Sequence, residues 1–230
     1  MQNPMEPHWV AVKHILHYLK NAISHALLIQ PTTDLKLHTF SDANWASDRD
    51  DRRSVSAYCV YLGNNLISWG CKQQQTVACS STEAEYKAFS NAATEIQWIK
   101  SLLTDLCVPI AHSSILWCDN IEATYLTNNP LFHARTKHIE IDFHYVHDQV
   151  LRGQLHVQFV STKDQYANAL TKPLTSSRFL LLCDNLRVHS LPFRLRERVE
   201  EQVNETNSST KDSFISGVQS PSTNSTCLGV

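Results

Sequence analysis

The spacing of apolar residues changes along this chain, and that change limits the fold more than any other feature of the sequence. Residues 34–42 alternate apolar and polar side chains, and residues 55–62 and 66–69 form short blocks of apolar and aromatic residues. Both patterns predict strands. The turn residues Gly63-Asn64-Asn65 join the second strand to the third, so these two strands are predicted to form a hairpin.

Helical spacing begins after residue 80. The run Ser80-Ser81-Thr82-Glu83 places a hydroxyl at a helix cap and a carboxylate three residues later, which is the spacing of a capping box. We assign Glu83 to this cap, and we expect the helix to end before Pro109. Two more strands are predicted over 115–118 and 155–159, with helical patterns over 121–126, 139–151 and 164–170.

This order of elements predicts an α/β fold. Three antiparallel strands are followed by strands that alternate with helices, so we expect a mixed five-stranded sheet flanked by helices. A further helix is predicted in front, over residues 7–29, and Pro31 is expected to end it. Residues after about 200 are mostly small polar or charged, a composition that predicts disorder.

Composition argues against several classes of protein. The 230 residues carry a formal net charge of −2, which gives no global basic field of the kind common in nucleic-acid binders. No apolar run reaches the roughly 18–20 residues that span a bilayer, and the first residues lack the pattern of a signal peptide. The seven cysteines contain no C-x-x-C pair, so we expect reduced core thiols. We therefore expect an intracellular protein, cytoplasmic or nuclear, that is not secreted and has no membrane partner.

Three acids stand at positions that favour metal chemistry. Asp42 ends the first predicted strand, Asp119 ends the fourth, and Glu85 is predicted to lie in the first turn of the long helix. Acids at strand ends can converge at one edge of an α/β sheet, and clustered carboxylates that repel one another favour a bound Mg²⁺. Each acid also has a purely structural interpretation, as a turn residue or as a partner of the helix dipole, and spacing alone leaves both interpretations open.

Several runs of residues resemble one known family in the same order along the chain. They are Ser41-Asp42-Ala43-Asn44-Trp45-Ala46-Ser47-Asp48, Asp51-Arg52-Arg53-Ser54-Val55-Ser56-Ala57-Tyr58, Asn65-Leu66-Ile67-Ser68-Trp69, Ser80-Ser81-Thr82-Glu83-Ala84-Glu85-Tyr86-Lys87-Ala88, Trp117-Cys118-Asp119-Asn120, Arg135-Thr136-Lys137-His138-Ile139-Glu140-Ile141 and Leu170-Thr171-Lys172-Pro173-Leu174. The chain resembles the ribonuclease H domain of copia-type retrotransposon Pol polyproteins, over roughly residues 7–190.

The resemblance implies an organisation in three parts. Residues 1–32 resemble the connection helix at the end of the reverse transcriptase, residues 33–175 the ribonuclease H-like domain, and residues 176–230 form a C-terminal extension. The polymerase itself is not among these residues. We therefore expect a fragment or remnant of such a polyprotein, with a reverse transcriptase polymerase domain as a partner.

The resemblance also implies a set of site residues. Asp42, Glu85 and Asp119 match the family's first three catalytic, metal-binding acids, and two Mg²⁺ ions, with Mn²⁺ as a substitute, are the implied cofactors. The fourth family acid is matched here by Asn168, which brings an amide oxygen but no charge and makes a weak ligand. Asp164 is expected to compensate only in part.

An RNA–DNA hybrid is the substrate that the resemblance implies. Proteins recognise such hybrids mainly through backbone phosphates and 2′-hydroxyls. Asn44, Ser81, Thr82 and Asn120 are predicted to contact the RNA strand. Arg52 and Arg53, with Arg49 and Lys72, are predicted to meet phosphates. Each of these residues is also compatible with a purely structural role in a solvated loop. The histidines at 133, 138, 144 and 147 lack a zinc motif, and we expect helix packing or contact with substrate from them.

Two hypotheses follow. In the first, the chain is an RNA–DNA hybrid endoribonuclease that leaves 5′-phosphate and 3′-hydroxyl ends. In the second, it is a catalytically weakened or inactive relic that binds hybrids. An integrase on the same fold is disfavoured, because the long helix carries its acid in the first turn and because the family motifs disagree.

Overall fold

The computed structural model describes residues 5–110, 112–128 and 140–191. The chain divides into two compact units, one formed by its two ends (Met1–Ser24 with Ser190–Val230) and one by His25–His189. Among the described residues, no helix has both the length and the apolar character needed to cross a membrane.

The unit of the chain ends contains helix α1, Glu6–Ala22, which is shorter than the helix predicted over 7–29. None of its side chains is buried. The chain leaves the helix because His25–Leu27 forms strand β1, which pairs with β7, Val188–Ser190. Pairing with a segment far along the chain overrides the local helical spacing there.

The larger unit is built on a five-stranded mixed sheet, as expected from the sequence. Its strands are β2 (Leu37–Asn44), β3 (Val55–Leu62), β4 (Asn65–Gln73), β5 (Ser114–Cys118) and β6 (Leu155–Phe159). Their order across the sheet is β4-β3-β2-β5-β6. β2 pairs with β3, and β3 with β4, in antiparallel orientation. β2 pairs with β5, and β5 with β6, in parallel orientation. The predicted α/β fold, a mixed five-stranded sheet flanked by helices, is confirmed.

A tight turn fixes the β3–β4 hairpin. Gly63 adopts a φ of +56°, and a Cβ at this position would lie 2.4 Å from the backbone oxygen of Asp34. Glycine is the residue that tolerates both the conformation and the close approach, so the sequence signal for this turn has a direct steric cause.

Helices cover both faces of the sheet. They are α2 (Ser81–Asp105), α3 (Ile121–Asn128), α4 (Glu140–Leu151), α5 (Asn168–Thr171) and α6 (Ser176–Asn185). The helix predicted over 164–170 is wrong in its bounds, because residues 161–167 form turns and α5 begins only at Asn168.

The core has one part on each face of the sheet. On one face, Tyr86 and Phe89 of α2 pack with Leu116 of β5 and Phe143 of α4. On the other face, Phe40 of β2 is buried in a second cluster that includes residues around α5. Strand β2 is therefore covered on both sides, and polar groups at its end lie where α2 and α5 both reach the sheet.

The larger compact unit, His25–His189, extends beyond the domain predicted over 33–175 at both ends. It also contains β1, α6 and most of β7. The division at 32 and 175 as a functional boundary stays a prediction, and the predicted disorder after about residue 200 lies outside the described residues.

Candidate metal centre

The two strand-end acids lie on neighbouring parallel strands. Phe40 of β2 stands beside Trp117 of β5, and Asp42 and Asp119 each follow two residues later. Asp42 is fully buried and Asp119 is partly buried. The parallel register therefore brings both carboxylates to the same level of the sheet, as the sequence predicted.

The start of α2 brings the third acid to this point. The Ser80 hydroxyl accepts a hydrogen bond from the backbone N–H of Glu83 at 3.1 Å, and the Glu83 carboxylate accepts one from the N–H of Cys79 at 2.8 Å. Glu83 also forms an ion pair with Lys87 at 2.8 Å. These contacts agree with the capping role assigned to Glu83, which leaves Glu85 to face the sheet.

Small side chains let α2 approach β2 closely. Ala84 and Ala88 of the helix pack against Ala43 of the strand. Glu85, only 6% exposed, accepts a hydrogen bond from the backbone N–H of Ala43. The next residue along from Asp42 thus holds the carboxylate of Glu85 in place.

The three carboxylates act on one another electrostatically. Burial, together with the charges of Asp42 and Asp119, raises the pKa of Glu85 to about 9. Burial and the charge of Asp42 also raise the pKa of Asp119. The Oε2 atom of Glu85 has no hydrogen-bond partner among the described residues. An unpartnered buried oxygen among like charges is a position that a cation stabilises.

Lys172 and Thr171 also reach the cluster from the end of α5. The Lys172 Nζ atom lies 2.9 Å from Oδ1 of Asp42 and 2.7 Å from Oδ1 of Asn168. The Thr171 hydroxyl donates a hydrogen bond to Oδ2 of Asp42. Burial lowers the pKa of Lys172, but the charges of the acids, that of Asp42 first, outweigh it and raise this pKa above its usual value.

The donor atoms fit a hard divalent cation. Glu85 and Asp119 each offer a carboxylate oxygen, and these atoms and the Cys118 sulfur lie within 4.8 Å of one another. Oxygen ligands of this kind suit Mg²⁺ and Mn²⁺. Burial, with the nearby charge of Glu85, raises the pKa of the Cys118 thiol, so this sulfur stays protonated and is a poor ligand. Asp42 is not part of this 4.8 Å group, but its charge acts on both Glu85 and Asp119. That the three acids bind metal stays a prediction.

Asn168, the predicted weak ligand, lies at the same site but is already engaged. It is 3% exposed. Its amide Nδ2 donates to the backbone oxygen of Thr162 at 3.2 Å, and its Oδ1 accepts from Lys172. Asp164 does not join the cluster through any described contact, because it is exposed and accepts a hydrogen bond from the Ser161 hydroxyl at 2.8 Å.

The four polar residues predicted to contact the RNA strand differ in their hydrogen bonds within the protein. Asn44 donates to the backbone oxygen of Thr171 at 3.0 Å, and Thr82 donates to Glu122 at 2.9 Å. Asn120 caps α3 by accepting from the N–H of Ala123 at 2.9 Å. Ser81 is exposed at the first position of α2. The geometry therefore gives Asn44, Thr82 and Asn120 structural contacts, and contact with RNA stays a prediction for all four.

The two predicted phosphate-binding arginines belong to the loop between β2 and β3. Asp48 organises this loop: its Oδ1 accepts from the N–H of Asp50 at 2.8 Å, and bonds from the N–H groups of Asp50 and Asp51 lower its pKa. Arg53 pairs with Asp51 at 3.1 Å, whereas Arg52 is exposed with a φ of +57°. Arg52 is therefore the more exposed of the two, and contact with phosphate stays a prediction for both.

The predicted histidine roles are only partly described. His147 of α4 stacks on Phe143, with ring centroids 5.5 Å apart, which is a packing contact. His144 lies on the same helix. His133 and His138, and the run at 135–137, lie outside the described residues.

Sequence reasoning missed the roles of Lys172, Thr171 and Cys118. The sequence places Thr171 and Lys172 only in a family motif, and it predicts a core thiol at Cys118. One local signal was available for Lys172, since it follows Asn168 at the i, i+4 spacing that brings side chains together on a helix. Its contact with Asp42 joins residues 130 positions apart and depends on the fold.

By sequence, the chain is similar to retrovirus-related Pol polyproteins of plant transposons. The chain is 45% identical over 192 residues to "Retrovirus-related Pol polyprotein from transposon RE2" of Arabidopsis thaliana. It is 35% identical over 190 residues to "Retrovirus-related Pol polyprotein from transposon TNT 1-94" of Nicotiana tabacum. These matches cover 84% and 83% of this chain but only 13% and 14% of the relatives. No protein-family model matches the chain.

Among solved structures, the chain is similar to LC11-RNase H1, isolated from compost by a metagenomic approach. The TM-score is 0.47 at 13% identity, and the match covers 60% of this chain and 93% of that one.

Proposed function

We propose that this chain, which belongs to the copia-type retrovirus-related Pol polyproteins and folds as a ribonuclease H-like domain, hydrolyses the RNA strand of RNA–DNA hybrids. The observation that carries the proposal is the convergence of three acids at the end of β2 and β5: Glu85 and Asp119 offer carboxylate oxygens within 4.8 Å of one another, and the charge of the buried Asp42 acts on both. Three carboxylates with one unpartnered oxygen are a costly arrangement for a purely structural site, and they match the acids that phosphodiester hydrolysis uses.

Asp42, Glu85 and Asp119 are the residues that would hold two Mg²⁺ ions, with Mn²⁺ as a substitute and Asn168 as a weak further ligand. When bound, such ions lower the pKa of water and stabilise the charge on a phosphate in transfer. The chain itself fixes the positions of its acids. Ala43 N–H orients Glu85, and Thr171 orients Asp42.

Substrate recognition is proposed to use the surface around these acids. Ser81 is exposed at the N-terminus of α2, where backbone N–H groups favour anions such as phosphate. Arg52 is exposed on the β2–β3 loop. Contacts with backbone and sugar groups would read the shape of a hybrid and not its sequence.

The direct test is cleavage of a hybrid whose RNA strand is labelled, in Mg²⁺ and separately in Mn²⁺. We expect cleavage of the hybrid and not of single-stranded RNA or duplex DNA, with 5′-phosphate and 3′-hydroxyl products. Asp119→Asn is expected to remove most of this activity, because it takes a charge from the cluster. Asp148→Asn is the matched control, since Asp148 is an exposed acid paired with Arg152 on α4. Absence of cleavage by the wild-type chain in both metals contradicts the proposal.

A second candidate function is hybrid binding without cleavage, and Asn168 is the observation that favours it. An amide takes the place of the family's fourth acid, so the site has one negative charge fewer to bind metal. Asn168→Asp separates the two candidates. A large gain of cleavage shows that the missing charge limits an enzyme, whereas unchanged hybrid affinity by fluorescence anisotropy, without cleavage in either protein, favours a binding module. Asn91→Asp, at an exposed position on α2, controls for the added charge.

The activities of the full-length relatives extend beyond this chain, which spans 13–14% of their length. A reverse transcriptase polymerase domain is therefore a proposed partner. Location in the cytoplasm or nucleus stays a prediction.

A further inference from the structure

Lys172 brings a positive charge into the acidic cluster. Its Nζ atom contacts Asp42 at 2.9 Å and Asn168 at 2.7 Å, and its side chain is 34% exposed. Asp42, by contrast, is fully buried. A partly buried ammonium that contacts a fully buried carboxylate compensates charge that would otherwise be costly.

The amide at position 168 determines which acid forms the ion pair with Lys172. Because Asn168 carries no charge, Asp42 is the acid with which Lys172 forms an ion pair among the described residues. The two oxygens of Asp42 are then both engaged, one by Lys172 and the other by the Thr171 hydroxyl. The unpartnered oxygen of the cluster belongs instead to Glu85, on the side where Glu85 and Asp119 oxygens lie within 4.8 Å.

We propose that the Lys172 ammonium is a built-in cation of this site, which occupies its Asp42–Asn168 side and competes there with a divalent ion. A divalent ion then enters first between Glu85 and Asp119, and full occupation requires Lys172 to withdraw. This inference rests on the proposed metal site but not on cleavage. Repulsion between an ammonium and a divalent ion at such short range lowers the affinity for the ion.

The test measures binding of Mn²⁺ to the full chain by isothermal titration calorimetry. Lys172→Gln keeps a hydrogen-bond donor and similar length but removes the charge, and Lys172→Met removes both. We expect both variants to bind Mn²⁺ on the order of tenfold more tightly than the wild type, as loss of one nearby charge implies. Lys87→Gln is the matched control, because Lys87 also forms a partly buried ion pair, with Glu83, away from the cluster. Its Mn²⁺ affinity is expected to equal that of the wild type.

Thermal unfolding gives a second readout. In EDTA both Lys172 variants are expected to melt below the wild type, since the acids lose the positive charge of Lys172. Mn²⁺ is expected to remove this difference in melting temperature. Lys87→Gln is expected to lose the same number of degrees with and without Mn²⁺. Affinity that is unchanged or weaker in the Lys172 variants overturns the inference, as does failure of both variants to fold in Mn²⁺.

Cleavage of hybrids is measured separately on the same proteins. Tighter Mn²⁺ binding without any cleavage supports the inference while the ribonuclease proposal fails. Cleavage by the wild type, with unchanged Mn²⁺ affinity in the Lys172 variants, supports the ribonuclease proposal and overturns the inference about Lys172.

Discussion

Glu85 is the residue at which burial and function conflict most directly. Its carboxylate is held beside two other acids, and burial with their charges raises its pKa from an ordinary 4.5 to about 9. Without a cation, folding therefore favours the protonated form. A group with a raised folded-state pKa contributes stability that is complete below the unfolded pKa and is lost as pH rises through the folded pKa.

This shift predicts a pH dependence of stability in the metal-free chain. In EDTA, the melting temperature is expected to fall as the pH is raised from about 5 to about 9, and Glu85→Gln is expected to make that fall shallower. Mg²⁺ should also make it shallower, because the ion stabilises the ionised acid. Melting followed by circular dichroism at several pH values measures both effects.

Glu83→Gln is the control for this experiment. Burial alone would raise the pKa of Glu83, but its bonds with Lys87 and Cys79 outweigh burial and lower it. Its contribution to stability is therefore lost only at acid pH, and Glu83→Gln should leave the fall between pH 5 and 9 unchanged. Equal pH slopes in the wild type and Glu85→Gln would contradict the assigned role of Glu85.

At the scale of elements, the start of α2 determines where Glu85 lies. The Ser80 hydroxyl satisfies the N–H of Glu83, and loss of such a cap costs about 1 kcal/mol. Ser80→Ala is expected to lower the free energy of unfolding in urea by about this amount. It should also weaken Mn²⁺ binding, because a frayed first turn no longer fixes Glu85.

Ser81→Ala provides the comparison for that variant, since Ser81 is exposed at the first helical position and no described hydrogen bond of its hydroxyl caps the helix. Its unfolding free energy should remain close to that of the wild type. If Ser80→Ala and Ser81→Ala were equally stable, the cap would not be what holds this end of α2.

Elements with strong local signals were predictable from sequence. The block of apolar and aromatic residues over 55–62 predicts the bounds of β3, Val55–Leu62, and the Ser80 cap predicts the start of α2. The predictions failed where distant pairing or irregular turns decide the structure. Residues 25–27 leave a helical pattern to pair with β7, and residues 161–167 form turns in place of a helix.

The same division holds for the site. The acids could be predicted because a strand end and a helix start can be located from local spacing. Their common level follows from the parallel register of β2 and β5, which the order of elements implies. The contact of Lys172 with Asp42 could not be predicted, since it depends on how a four-residue helix, α5, lies against the end of β2.

For the whole molecule, the distribution of buried residues indicates which part of the chain folds independently. The sheet, its core clusters and all three acids belong to the unit His25–His189. Helix α1 contributes no buried side chain, although Ile15, Leu16 and Leu19 form an apolar stripe that is more than half exposed. The free energy of folding should therefore come almost entirely from the larger unit, since apolar burial dominates it.

A fragment of residues 24–191 tests this expectation. It keeps every described element except α1, and it keeps the bond between the Leu191 N–H and the Ser24 oxygen. We expect one cooperative thermal transition within roughly 4 °C of that of the full chain, a difference that corresponds to about 1 kcal/mol for a domain of this size. The Mn²⁺ affinity measured by calorimetry should be unchanged, because every acid of the cluster is retained. A fragment that melts far lower, or without cooperativity, would contradict this expectation, because α1 or residues 192–230 would then supply part of the stability.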